Sequence, residues 1–225
     1  MVQDLVLIGS GGCMRELIWQ IEELNAEGHV WNVVGYVDKQ PYWDGNTSDI
    51  YVGSICCPYL GDDEYLLNIQ QEMNVAISVA EPELRKKIAQ KLMHNPKLKF
   101  PNLIMNDTRV CSDLKIGQGC ILSMGCRIST NVTLGDFVFL NIDSLICHDG
   151  IIGNYTTLSP DVRIAGQVTI GSECAIGLGS RVIQEVKVGD HVIAGAGSVI
   201  VKDIKNTCTV VGIPAKSIEK CRQAE

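Results

Sequence analysis

The sequence has no cluster of lysine or arginine, and its formal net charge is −7 over 225 residues. A net negative chain is poorly suited to neutralising phosphates in a row, which argues against nucleic acid and against an anionic membrane surface as partners. No uninterrupted apolar run reaches the roughly eighteen residues that a membrane-spanning helix needs. The apolar start is broken by Asp4 and by Gly9–Gly12, which reads against a signal peptide, and the expected location is the cytoplasm. Ten cysteines are present without a single CxxC, so the usual zinc spacing is missing and no metal site is expected.

What the chain does have is a repeat. Every sixth residue from Ile104 to Ile200 is aliphatic in one unbroken register, seventeen positions in all, of which only Ala194 is not branched. A helix repeats every 3.6 residues and an ordinary strand every 2, so neither produces this period, whereas a parallel β-helix with six residues per flat face does. Gly117, Gly135, Gly153, Gly171 and Gly189 add a period of eighteen, so three hexads make one coil of a triangular prism. Coils of a parallel ladder stack at about 4.8 Å. The aliphatic position points inward, and the small or β-branched residue four places later, such as Cys120, Val132, Thr156 or Ser180, is a second inward position. Disulfides between neighbouring coils need cysteines eighteen apart, and no two of Cys111, Cys120, Cys126, Cys147 and Cys174 are; reduced thiols are the expectation. The polar stretch Ala215 to Glu225 is expected to be a short capping helix.

The first hundred residues read differently, and the change near Pro101 divides the chain into domains 1–100 and 101–225. Leu5–Ile8 is a short strand, Gly9-Ser10-Gly11-Gly12 a turn, and Met14, Leu17, Ile18, Ile21 and Leu24 lie at helical spacing. A second strand, Val33–Val37, ends at Asp38. Asn74–Val79 reads as a further strand, and Glu83–Leu92 as a helix with Leu84, Ile88 and Leu92 on one face. The expected fold is an α/β Rossmann-like domain followed by the β-helix. A glycine turn at a helix N-terminus lets backbone N–H groups approach a phosphate, and a carboxylate at a strand end takes a ribose hydroxyl or a base N–H. The same turn can also serve only tight strand-to-helix packing.

Four histidines are available as bases: His29, His94, His148 and His191. His148 falls two places after an inward aliphatic position, at a prism corner, with Asp149 beside it and Gly166 one coil above. A neutral imidazole there suits removal of a proton near pH 7, Asp149 can orient it through Nδ1–H, and Gly166 clears space and offers an N–H to a developing oxyanion. An exposed corner histidine without a task is the plainer alternative. Asn141 is a candidate sugar contact or part of a buried asparagine ladder. Cys147 beside His148 raises an acyl-cysteine, but an outward face position and a corner position should diverge, so direct transfer is favoured.

The hexads, the Gly9–Gly12 turn, Gly35-Tyr36-Val37-Asp38, His148-Asp149 with Ile152-Gly153, Ala165-Gly166, Gly195-Ala196-Gly197 and Gly212-Ile213-Pro214-Ala215-Lys216 together resemble one family. It is the sialic acid O-acetyltransferase and bacillosamine-pathway UDP-amino-sugar N-acetyltransferase family of hexapeptide-repeat acyltransferases, and the resemblance covers nearly the whole chain. It implies a left-handed β-helix, a homotrimer, acetyl-CoA as co-substrate with no bound cofactor, a nucleotide-linked amino sugar as acceptor, and a place in polysaccharide biosynthesis. His148 and Asp149 are the implied catalytic pair. Gly9, Ser10, Gly11, Gly12, Asp38 and Asn141 are assigned to the acceptor, and Thr157, Gly166, Gly195, Ala196, Gly197 and Lys216 to acetyl-CoA. Two departures stand out. Thr157 occupies the place of a second histidine that family members often carry, and Ile104-Met105-Asn106 replaces an Ile-His-Pro entry to the helix. The leading reading is N-acetylation by direct transfer; O-acetylation of sialic acid or another sugar, and a non-catalytic trimeric scaffold, are the alternatives.

Overall fold

The apolar run after Asp4 is buried residue for residue from Leu5 to Ile8, as a strand covered on both faces must be. It forms β1 (Gln3–Ile8), and the glycine turn leads into α1 (Gly12–Ala26), which buries Met14, Leu17, Ile18, Ile21 and Leu24. β2 (Trp31–Val37) follows, then the hairpin of β3 (Ile50–Val52) and β4 (Ile55–Cys57), β5 (Tyr59–Gly61), α2 (Asp63–Leu67), β6 (Met73–Ile77), α3 (Pro82–Leu92) and β7 (Leu98–Lys99). The computed structural model describes residues 2–28, 31–42 and 47–218; His29 lies outside them. Contacts divide the chain into two units, Met1–Ala80 with Leu84–Pro101, and Glu81–Glu83 with Asn102–Glu225.

In the first unit the parallel sheet runs β5-β2-β1-β6-β7, so the strand order reverses between β1 and β6. The carboxyl ends of strands at such a switch point open onto a crevice. One detail differs from the sequence pattern: α3 turns Pro82, Arg85, Ala89 and Leu92 inward, while Leu84 is 40% exposed. Arg85 replaces the expected aliphatic anchor because its Nη1 donates to the carbonyls of Val79 (2.6 Å) and Ala80 (3.0 Å), which satisfies both the cation and the loop.

In the second unit each aliphatic repeat position is the second residue of a two-residue strand. These strands run in sixes from β8 (Leu103–Ile104), β9 (Arg109–Val110) and β10 (Lys115–Ile116) to β24 (Val199–Ile200). Among themselves they pair at eighteen residues, and at the far end Ile193 pairs sixteen residues on with Thr209, which sorts them into the three faces of a left-handed β-helix. We call the sheet containing β8 the first face, that containing β9 the second, and that containing β10 the third. From Leu122 to Ile200 the repeat positions are buried, as are Cys120, Cys126, Val132, Thr156, Ser180 and the other small residues four places on. Ile104 is 38% exposed because β8 pairs on one side only and has no coil beneath it among the described residues.

Two expectations fail at the far end. Instead of entering a helix at Ala215, the chain turns after β25 (Thr209–Val211) and returns as β26 (Lys216–Ser217), antiparallel to it. The returning strand supplies partners to Val210 and Val211 at the edge of the first face, which a helix would not. The rest of the expected helix, 219–225, lies outside the described residues. Cys208 is disulfide-bonded, against the expectation of reduced thiols. A spacing of eighteen pairs only cysteines on stacked coils, whereas Cys208 lies beyond the last regular coil, just before β25.

Candidate functional site

In the first unit the turn after β1 meets the end of β2. Ser10 Oγ donates to Asp38 Oδ2 at 2.6 Å, and the Lys39 N–H to Asp38 Oδ1 at 2.7 Å, so the carboxylate is fixed beside the glycine turn. Gly9 has φ +103°, a backbone that L side chains rarely adopt. Gly11 and Gly12 are in ordinary conformations, and a Cβ on either would meet nothing within 4 Å. Tight packing against the protein therefore does not require glycine at these two positions; open space in front of an uncapped helix N-terminus does suit a ligand phosphate.

In the second unit the chain leaves the second face after β15 (Leu145–Ile146) and rounds the corner at His148 and Asp149. Asp149 adopts φ +59°, a left-handed conformation that asparagine and aspartate tolerate best among residues with a Cβ. His148 Nδ1 lies 2.8 Å from Asp149 Oδ2, and Asn131 Nδ2 donates to Asp149 Oδ1 at 2.7 Å. The Asn131 amide first, and then His148, hold the Asp149 carboxyl below the usual carboxylate range. An ionised carboxylate only accepts hydrogen bonds, so Nδ1 carries the proton and Nε2 of the neutral ring keeps its lone pair. Gly166 lies against the Cε1–Nε2 side of the ring: a Cβ there would lie 2.4 Å from His148 Cε1 and 2.5 Å from Nε2. The Gly166 N–H donates to no other group among the described residues.

The other histidines have different surroundings. His94 Nδ1 is engaged with the Lys91 carbonyl at 3.0 Å, and His191 Nε2 lies 3.9 Å from Glu173. Cys147 makes no hydrogen bond to His148 among the described residues, and its N–H is used in the ladder to Ile164.

The remaining candidates fall elsewhere on the prism. Asn141, 8% exposed, follows β14 (Phe139–Leu140) on the first face, where its Oδ1 accepts the Ile142 N–H at 2.8 Å. Thr157, 4% exposed, begins β17 (Thr157–Leu158) on that same face, one coil above Phe139. Gly195, Ala196 and Gly197 round the corner between the first and second faces. The Gly195 and Gly197 N–H groups are spent on Val210 and Leu178, which leaves Ala196 to offer one outward. Lys216 is exposed on β26. A single chain thus brings together His148, Asp149 and Gly166, and separately Asn141 and Thr157. The residue that sequence reasoning missed is Asn131; its signal was its place eighteen residues before Asp149, at the same corner one coil below.

Residues 4–92 match the PglD N-terminal domain family. No curated protein matches the chain. Among solved structures the chain is similar to PerB from Caulobacter crescentus in complex with CoA and GDP-perosamine, at 28% identity over 97% of this chain and 99% of that one, with a TM-score of 0.83. It is equally similar to the acetyltransferase domain of PglB from Neisseria gonorrhoeae in complex with acetyl coenzyme A, at 28% identity over 97% of this chain and 100% of that one, TM-score 0.83. WeeI from Acinetobacter baumannii shares the fold at 22% identity over 96% and 100% of the two chains, TM-score 0.82. The chain thus has a Rossmann-like domain followed by a left-handed β-helix, the architecture of the CoA-bound acetyltransferases it is similar to, and it is an acetyltransferase. More particularly, its first domain is of the PglD type.

Proposed function

We propose that the protein transfers the acetyl group of acetyl-CoA to the amino group of a nucleotide-linked sugar, with His148 as general base. The observation that carries this reading is the His148 ring, tied through Nδ1 to Asp149 and turned toward Gly166. The acceptor nitrogen attacks the thioester carbonyl carbon; the C–N bond forms, its proton passes to His148 Nε2, and the carbonyl oxygen becomes an oxyanion. Collapse of this intermediate breaks the C–S bond, and the imidazolium returns the proton to the departing CoA sulfur. The unspent Gly166 N–H suits the oxyanion. Asp149 stabilises the imidazolium without taking its proton.

The acceptor's diphosphate rests on the Gly9–Gly12 turn and the α1 N-terminus, with Asp38 toward the ribose or base; PerB binds CoA and GDP-perosamine, and the PglB acetyltransferase domain binds acetyl coenzyme A. CoA lies in the groove between neighbouring chains, with Gly166 of one prism and the Gly195-Ala196-Gly197 corner of the next against it and Lys216 toward its phosphates. Because Asn141 and Thr157 belong to a different face from His148, one prism cannot turn all three toward one substrate. Three chains packed side by side, each presenting its first face to the corner of the next, close the site in a homotrimer. Among the described residues no helix is long and apolar enough to cross a membrane, and we place the enzyme in the cytoplasm, in polysaccharide biosynthesis. The direct test is a screen of GDP-, UDP- and dTDP-linked amino sugars for thiol release from acetyl-CoA. Release with an amino sugar and none with the matching hydroxy sugar is expected; release only with free sialic acid would transfer the assignment to O-acetylation.

A further inference from the structure

The His148 corner is a ladder of side chains from successive coils. Asp113 Oδ2 accepts the Thr130 hydroxyl at 2.6 Å and the Asn131 N–H at 2.9 Å, which fixes the backbone of Asn131 in its left-handed conformation, φ +53°. Asn131 and Asp149 are equivalent positions one coil apart, both left-handed, so their side chains run side by side and the amide of one reaches the carboxylate of the other at 2.7 Å. An amide nitrogen can only donate, so Asn131 occupies Oδ1 and leaves Oδ2 as the oxygen that faces the ring. Without that donor, the Asp149 carboxylate could rotate about its last bond, and no other hydrogen bond among the described residues fixes which oxygen His148 meets. His148 is 57% and Asp149 41% exposed, so the pair has little packing to hold it.

We infer that Asn131 is a positioning residue for the acetyl transfer: through Asp149 it fixes the tautomer and direction of the His148 ring. The inference rests on the reading of His148 as general base. Asn131 touches neither substrate, so its removal should change kcat and leave both KM values alone. Misalignment of a reacting group costs on the order of ten- to a hundredfold in rate. The deletion variant is Asn131→Gly, because glycine adopts a positive φ without strain and removes only the amide. Asn131→Asp is the isosteric companion, which sets a second carboxylate against Asp149.

The experiment measures kcat and both KM values for the wild type, Asn131→Gly, Asn131→Asp, Asp149→Ala, Asn131→Gly/Asp149→Ala and His148→Ala, with acetyl-CoA and the nucleotide amino sugar that gives thiol release in the screen above. Asn131→Gly and Asn131→Asp should each lower kcat by about ten- to a hundredfold with KM values unchanged. In the Asp149→Ala background, Asn131→Gly should have no further effect, since its route to the ring is already gone. A ¹⁵N spectrum of histidine-labelled protein, which needs no acceptor, should show the His148 ring held as the Nδ1–H tautomer in the wild type and divided between tautomers in Asn131→Gly. Wild-type kcat in Asn131→Gly, or an equal further loss in the Asp149→Ala background, would overturn the role of Asn131. Full activity in His148→Ala would instead overturn the general base itself, and the two failures are read from different variants.

Discussion

Gly166 stands so close over His148 that the smallest side chain cannot fit: a Cβ there would lie 2.4 Å from the ring carbon Cε1. Gly166→Ala should therefore push the imidazole off its line to the substrate. It should lower kcat by roughly a hundredfold, the cost of displacing a reacting group by about 1 Å, with a much smaller effect on thermal stability because the ring is exposed and free to swing outward. Steady-state rates beside a thermal melt check this; an active Gly166→Ala enzyme would mean that the space above the ring is not where the thioester sits.

Cys147→Ser should remain active and no acetyl-enzyme should accumulate, since the thiol makes no hydrogen bond to the imidazole that would have to activate it. Intact-mass spectra after mixing with acetyl-CoA alone, together with intersecting initial-rate patterns, support direct transfer. A stable acetyl adduct that vanishes in Cys147→Ser would replace it with a covalent route.

Acid should loosen the β-helix in a particular window. Asp113, Asp149 and Asp161 are all held below the usual carboxylate range, chiefly by the Thr130 hydroxyl, the Asn131 amide and the Arg181 guanidinium respectively. A carboxyl whose folded pKa is depressed contributes stability that is fully present above its unfolded value, about 3.9, and is lost as pH falls through the folded value. The thermal midpoint should therefore fall as pH drops below about 4, modestly because these groups are exposed, and Asp113→Asn should show a shallower fall. A midpoint indifferent to pH in that window would contradict the ladder's role.

In the first unit, Gly11→Val should raise the KM for the nucleotide sugar far more than that for acetyl-CoA. The space in front of Gly11 is open, so a side chain there meets a ligand before it meets the protein. Equal changes in both KM values would remove the acceptor from this turn.

Much of this was legible in the chain because the β-helix is one-dimensional. A six-residue period fixes which side chains point inward, and eighteen residues fix which ones stack, so His148, Asp149 and Gly166 could be placed at one corner by counting alone. The same count could have found Asn131. Arg85 escaped it because a helix face was read by hydrophobicity, while this arginine is buried for the carbonyls it satisfies. The hairpin of β3 and β4 and the return of β26 escaped because three- and two-residue strands carry too few residues to show a period. Thr157 was assigned to the acetyl group by its distance along the chain from His148, yet it lies on another face of the prism.

The base assigned to this transfer is His148, and the most direct measurement is the single-turnover rate of His148→Ala with saturating acetyl-CoA and nucleotide amino sugar. A fall of roughly 10² to 10⁴ with both substrates still bound and the thermal midpoint unchanged is the expected result. A rate equal to that of the wild type would contradict it and leave the corner histidine without a task.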